Sequence, residues 1–373
     1  MLQPCIVFFV SGHGFGHASR VIEVIGAIRR RAPRVRIAVR TSARRWLFDL
    51  TLDAPIEFHE VECDTGVVQL DSLRLDAEAT LDRAAGFYAR WNEMLAREAA
   101  FLRDVEAGLA VSDIPPLGCA AARAAGVPGL ALGNFTWDWI YEGYVPHGQA
   151  RPDFLDTIHD AYRATSLTLR LPMWGGFGAM DPLRITDITL VARHAKRQPA
   201  DTRAALGLPR DLALVLLSFG GYGLERFTLE GLNLPGYAVV TTGHTRIRSP
   251  RTKDRTPVFP IDERALYDAG FRYEDLVAAC DVVVSKPGYG IIAECAANGA
   301  ALLYTSRGNF AEYDVLVAAL PGLVRSRFIP QDDLFAGRWL PHLDALIAQP
   351  PPVAVPDTNG AEVAAELILQ QLR

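Results

Sequence analysis

Two histidines stand in a glycine-rich stretch near the start of the chain, Ser11-Gly-His-Gly-Phe-Gly-His-Ala-Ser-Arg20. It follows the apolar run 5–10, which reads as a buried strand. Glycines at 12, 14 and 16 permit a tight turn and let a ligand approach the backbone. Because they alternate, the stretch is not the dinucleotide fingerprint GxGxxG, and no acid follows at a clear ribose-binding position. His17 falls at the start of the next helical pattern. There the positive end of the helix dipole favours a neutral imidazole, the form a general base needs. His13 is a second candidate, and the plainer reading of both is that they only order the loop. Asp113 lies just past another apolar run and precedes Ile-Pro-Pro. A carboxylate at a strand end can orient a histidine across a crevice, and it can equally serve as an Asx turn or helix cap.

Residues 281–314 carry a different chemistry. They read as an apolar strand (Asp281-Val-Val-Val284), a glycine turn (Ser285-Lys-Pro-Gly-Tyr-Gly290), a helix over 291–298, a second apolar strand over 301–305 and a polar segment over 306–314. A strand that feeds a glycine turn and then a helix leaves backbone N–H groups free at the helix start, where a phosphate is favoured. Phe219-Gly-Gly-Tyr-Gly223 ends another apolar run and is a second candidate phosphate loop. Lys286 suits a phosphate point charge or a solvated cation. Glu294 has two acceptor oxygens for ribose hydroxyls, although an acid near a helix start is favourable without any ligand. Asn309 and Glu312 are placed to contact a sugar beyond the phosphates. Residues 134–144 concentrate aromatics. Asn134, Thr136 and Trp137 are the pocket candidates there, against the alternative that the aromatics pack a core.

The elements that must hold these residues alternate between strand and helix. Over 17–31 the apolar spacing Val21, Val24, Ile25, Ile28 predicts a helix. Strands are expected over 35–39, 109–112, 128–132 and 165–171, with a loop over 172–178. Residues 77–108 read as mostly helical, and 117–125 as a helix closed by Gly126. A hydrophilic run over 193–201 marks a linker region within 184–209. A second series follows, with strands over 213–218 and 237–241 and helices over 273–280, 332–348 and 361–372. The expected organisation is an amino-terminal domain, 1–190, and a carboxyl-terminal domain, 191–373, with the last helix free to pack back on the first. Each is an α/β, Rossmann-like lobe, and the two are expected to face a cleft.

Composition narrows the class. Half of the 373 residues are hydrophobic, 22% are charged and the net charge is −5, so the chain reads as globular, without an overall basic footprint for nucleic acid. Residues 29–45 hold eight arginines and no acid. They read as a solvated helix end and strand edge, or as a contact for an anion or acidic lipid. The five cysteines are scattered without a CxxC, which points to reduced, buried thiols and a cytoplasmic location. No apolar run approaches the ~20 residues of a membrane span, which leaves peripheral membrane contact open.

Taken together, Ser218 to Gly223, the run Asp281-Val-Val-Val-Ser-Lys-Pro-Gly-Tyr-Gly-Ile-Ile-Ala-Glu294 and Phe310-Ala-Glu312 resemble the donor domain of family 28 GT-B glycosyltransferases, the type of the peptidoglycan N-acetylglucosaminyltransferase. Along nearly the whole chain, Ser11 to Arg20, Val111-Ser-Asp113, Asn134-Phe-Thr-Trp-Asp-Trp-Ile-Tyr141, Phe219-Gly-Gly221 and Gly288-Tyr-Gly290 are similar to the glycosyltransferase-like domain that precedes the sugar-kinase domain of plant L-arabinokinases. The resemblance implies a GT-B architecture, with 1–190 as the acceptor domain and 191–373 as the nucleotide-sugar donor domain. It also implies diphosphate contacts at Gly220, Gly221, Gly288 and Gly290, a ribose contact at Glu294 and an acceptor base at His17, with Asp113 as its partner. Tyr222 and Tyr289 flank these glycines and join the donor set. The superfamily's acid–Gln pair matches at Glu312, but Tyr313 stands where the Gln would be.

The expected function is metal-independent transfer of a hexose or similar sugar from a nucleoside-diphosphate sugar, with a UDP-sugar as co-substrate and no cofactor, to a hydroxyl of a small-molecule or lipid acceptor. Gly14, Asn134, Thr136 and Trp137 form the acceptor set. Two alternatives stand beside it: a non-catalytic nucleotide-sugar-binding module, and a nucleotide-sugar 2-epimerase. The oligomeric state stays open.

Overall fold

The strand-helix alternation folds into two parallel sheets. The computed structural model describes residues 4–220, 224, 227–242 and 256–372. Two compact units emerge, one formed by Met1–Val68, Asp76–Val191 and Asp357–Arg373, the other by Gln69–Leu75 and Ala192–Pro356.

In the first unit seven strands form one sheet: β1 (Cys5–Val10), β2 (Arg36–Thr41), β3 (Glu57–Glu60), β4 (Ala107–Asp113), β5 (Gly129–Phe135), β6 (Leu167–Gly175) and β7 (Ile185–Asp187). Their order across the sheet is β3-β2-β1-β4-β5-β6-β7, and every pairing is parallel. The chain therefore leaves β1 in one direction and returns to its other side with β4. That reversal between β1 and β4 is where open α/β sheets bind ligands, at the carboxyl ends of the strands.

Burial explains why β1 is apolar throughout, as strands covered on both faces are. Ile6, Phe8 and Val10 pack in one cluster with Val21, Val24, Ile25 and Ile28 of the helix Gly16–Arg31, and with Ala364 and Ile368 of the helix Gly360–Gln371. Cys5, Val7 and Phe9 face the other way, against Leu102, Ala121 and Ala122. Each fully buried Phe contributes ~1.5–3 kcal/mol.

The second unit repeats the plan with β8 (Ala213–Leu217), β9 (Tyr237–Thr242), β10 (Val258–Ile261), β11 (Val282–Ser285), β12 (Ala301–Tyr304) and β13 (Ser326–Phe328). The order is β10-β9-β8-β11-β12-β13, again parallel, with the reversal between β8 and β11. Phe219 and Gly220 follow β8, and the glycine-rich stretch over 286–290 follows β11.

Several elements differ from the sequence expectation. The strand expected over 165–171 runs on to Gly175, absorbing part of the expected loop, because Phe135 of β5 pairs with Gly175 across a register shift. Ile185–Asp187, inside the expected linker, is a strand, since β6 offers it a free edge. The helix after β11 begins at Tyr289, so Gly290 lies in its first turn and Gly288 is its N-cap. The expected helix over 332–348 is two, Gln331–Phe335 and Leu340–Ile347, with Gly337 at φ 72° between them.

Most of the eight arginines over 29–45 are occupied by structural partners. Arg29 donates to the carbonyls of Pro33, Val35 and Pro55. Arg30 and Arg31 reach Glu362, Arg36 reaches Glu57, and Arg45 reaches Asp49. Arg40 makes a buried two-point pair with Glu98 at 2.7 and 2.8 Å. Arg34 and Arg44 are exposed.

Candidate functional site

At the reversal of the first sheet, His17 opens the helix after β1 and Asp113 ends β4. The Nδ1 of His17 lies 2.8 Å from Asp113 Oδ1, with both side chains buried. If Nδ1 carries the proton, it donates to the carboxylate and leaves Nε2 as the basic nitrogen. Arg20, one helical turn after His17, clamps the same carboxylate: Nε donates to Asp113 Oδ2 at 2.8 Å and an Nη donates to Oδ1 at 2.5 Å. The other Nη donates to Asn134 Oδ1, at the end of β5. Burial pushes the Asp113 carboxyl up, but the Arg20 charge and the hydrogen bonds from Arg20 and His17 outweigh it and hold it below its ordinary value.

A second carboxylate belongs to this cluster and has no signal in the sequence. Asp64 is buried and accepts from Ser11 Oγ at 3.0 Å and from Trp137 Nε1 at 2.8 Å. Burial raises its carboxyl to about 6, against the opposing effects of His17, Ser11 and Trp137. Ser11 Oγ in turn accepts from the His13 backbone at 3.2 Å. His13 meets the edge of Trp137 with ring centroids 6.0 Å apart, and a Cβ on Gly66 would sit 2.4 Å from its Nδ1. Two carboxyls near one imidazole are thus driven in opposite directions, Asp113 below its ordinary value and Asp64 above it.

The expected acceptor residues are placed here but engaged internally. Asn134 Nδ2 donates to the Pro172 carbonyl at 2.6 Å. Thr136 Oγ1 accepts from Phe177 N, and Trp137 is buried and stacked on Tyr141. Phe135, Tyr141 and Tyr144 are buried too, so most of this aromatic group packs the core. Gly14, at φ 71°, has open space where a side chain would be.

In the second unit the helix Tyr289–Asn298 starts at Gly288 with no side-chain cap and no acid in its first turn. Lys286 precedes its N-cap by two positions. Burial, and then the neighbouring Arg307 charge, hold the Lys286 ammonium well below its ordinary value, against Glu312 and Asp71, which act the other way. An arriving phosphate would favour the charged amine. Glu312 is paired with Arg307 at 2.9 Å, whose guanidinium also lies 3.6 Å from the Phe310 ring centroid. Asn309 is exposed and Tyr289 partly buried. Gly220, at φ 71°, follows Phe219 in the turn after β8. Gly221 and Tyr222 lie outside the described residues.

Glu294 is buried and engaged by Arg193, whose Nε donates to it at 2.7 Å. The same guanidinium reaches Glu274 at 3.4 Å. Burial raises the Glu294 carboxyl, and one arginine shared by two acids offsets only part of the rise. Burial alone would lower Arg193, but the two acids dominate and keep it charged. Arg193 falls in the hydrophilic run that reads as linker, and its burial is visible only in the fold. Among the described residues no group of three or more His, Cys, Asp or Glu could hold a metal ion. Nor is any helix among them long and apolar enough to cross a membrane.

These two sheets, each with its reversal and glycine turn, define a GT-B fold. CalG4, the calicheamicin glycosyltransferase, is similar with a TM-score of 0.58 at 17% identity, over 100% of this chain and 95% of that one. UGT89C1 of Arabidopsis thaliana, complexed with UDP, is similar with a TM-score of 0.59 at 13% identity over all of both chains. MurG of Acinetobacter baumannii gives 0.51 at 12%, over 99% of this chain and 100% of that one. These likenesses establish the fold. In sequence the chain is 29% identical over 366 residues to L-arabinokinase of Arabidopsis thaliana, 97% of this chain and 34% of that protein. The chain thus spans about a third of the length of the curated relative it matches. No protein-family model matches it.

Proposed function

We propose that the protein is a nucleotide-sugar-dependent glycosyltransferase of the hexosyl type. The second unit holds a nucleoside-diphosphate sugar, with a UDP-sugar the first choice, and the first unit presents an acceptor hydroxyl to His17. His17 Nε2 takes the hydroxyl proton as the acceptor oxygen bonds to the anomeric carbon. The bond from that carbon to the diphosphate breaks, and its electron pair leaves with the nucleotide. Lys286 and the N–H groups at Gly288, Tyr289 and Gly290 meet the charge that develops, a role assigned here to protein groups and not to a metal. Asp113 holds the imidazole in the tautomer the step requires.

The observation that carries this reading is the His17–Asp113 contact of 2.8 Å at the reversal of the first sheet. Calorimetric titration with UDP, GDP, ADP and TDP, followed by mass-spectrometric detection of sugar transfer to a panel of hydroxyl acceptors, tests it. Binding of one diphosphate together with a glycosylated product supports transfer. Absence of binding to all four removes the donor site.

A second reading is a nucleotide-sugar-binding module without turnover. It is favoured by the pairing of Glu312 with Arg307, which engages Oε1 of the carboxylate expected to contact the donor sugar and involves none of the glycines expected to contact the diphosphate. It predicts tight diphosphate binding and no product with any acceptor.

A further inference from the structure

The short segment Gln69–Leu75 leaves the first unit in sequence but belongs to the second in space. Leu73 is buried in the second unit's core beside Leu217 and Phe219. Its carbonyl oxygen would sit 3.1 Å from a Cβ on Gly308, which has φ 59°, so a side chain there would be strained and crowded. The segment is internally tied: Asp71 Oδ1 accepts from Leu73 N at 2.8 Å and from Arg74 N at 3.0 Å. Ser72 is fully buried, and its hydroxyl donates to the Phe219 carbonyl.

That bond completes a pattern. The turn after β8 is held by three hydroxyls. Ser285 donates to the Ser218 carbonyl at 2.6 Å, Tyr273 donates to the Ser218 hydroxyl at 2.7 Å, and Ser72 takes the Phe219 carbonyl. In a trans peptide the C=O and the following N–H point in opposite directions. Fixing the carbonyls of Ser218 and Phe219 therefore fixes the directions of the Phe219 and Gly220 N–H groups. Oriented N–H groups in a glycine turn are what an anion is bound by.

We propose that Ser72 is a positioning residue of the nucleotide site, a hydroxyl supplied from a remote segment to aim the N–H of Gly220 at the diphosphate. The inference rests on the nucleotide-sugar reading above. It assigns to Gln69–Leu75 a part in recognising the phosphates and none in recognising the base.

The test is calorimetric titration of wild type and Ser72→Ala with UDP, UMP and uridine. Ser72→Ala should bind UDP ~3–10-fold more weakly, the size of one lost neutral hydrogen bond, while any uridine affinity stays unchanged. A merely structural role would weaken all three ligands together. Hydrogen exchange on the unmodified protein gives a second readout, independent of how well the variant folds. UDP should slow exchange at 69–75 together with 218–220. Equal UDP affinity in Ser72→Ala, or no protection of 69–75 in a protein that binds UDP, overturns the inference. Failure of wild type to bind any of UDP, GDP, ADP and TDP is a different result: it removes the nucleotide site itself, and this inference with it.

Discussion

Replacing Asp113 with Asn removes one charge from the buried cluster and almost nothing else. Asp113 is fully buried and the Arg20 side chain is 10% exposed, with two hydrogen bonds between them and a third contact to His17. Two unit charges about 4 Å apart attract by about 4 kcal/mol at an effective dielectric of about 20. Removing one partner of a buried pair costs ~3–5 kcal/mol, because the other charge stays behind without compensation. For a unit of this size ~1 kcal/mol moves the unfolding midpoint by ~2–4 °C, so Asp113→Asn should lower it by ~6–20 °C. The sign with pH follows from the depressed carboxyl. Its contribution is fully present above the unfolded value of ~3.9 and is lost as pH falls through the lower folded value. The gap between wild type and Asp113→Asn should therefore be constant from pH 5 to 8 and close only in stronger acid. Thermal unfolding of wild type, Asp113→Asn, Arg20→Met and the double variant measures this. The double variant should lose much less than the sum of the single losses. Strict additivity, or a shift of less than ~2 °C in Asp113→Asn, would mean that Asp113 and Arg20 are not energetically coupled.

Asp64 carries the opposite sign. Its carboxyl sits at about 6 in the folded protein and at ~3.9 in the unfolded chain. The folded state thus binds the extra proton between about pH 4 and 6, and stability should fall as pH rises across that window, by on the order of 3 kcal/mol. Asp64→Asn should flatten this slope in denaturant titrations at pH 4, 5, 6 and 7, and an unchanged slope contradicts the assignment. In the second unit, Arg193→Met leaves Glu274 and Glu294 buried without their shared cation, so stability should drop by ~3–5 kcal/mol. The loss should be larger at pH 8 than at pH 5, where the raised carboxyl of Glu294 takes up a proton more readily. Urea midpoints at both pH values decide it.

Local patterns made much of the fold legible. Unbroken apolar runs at 5–10 and 282–284 mark strands covered on both faces, and each ends in a glycine turn. What the sequence hides is contact between distant residues. Strand-end positions already suggest His17 and Asp113 as partners, but the two are 96 positions apart, and the contact itself follows only once β4 returns beside β1. Arg20 had a visible signal, one helical turn from His17 and so on the same face, yet an arginine at a helix start reads first as solvated. Asp64 lies in a stretch with no periodicity, and only the fold brings Ser11 and Trp137 to it. Arg193 was disguised by its polar neighbours, while its side chain turns inward to two glutamates. Ser72 has no local signal, because nothing near it in sequence marks a segment that packs within the second unit.

The most direct test of the central claim is product formation from a UDP-sugar and a responsive hydroxyl acceptor, compared between wild type and His17→Ala with UDP affinity measured on the same samples. His17→Ala should keep UDP affinity and lose transfer by ~10²–10⁴-fold, the usual worth of a positioned base. Equal turnover by the two proteins would contradict it.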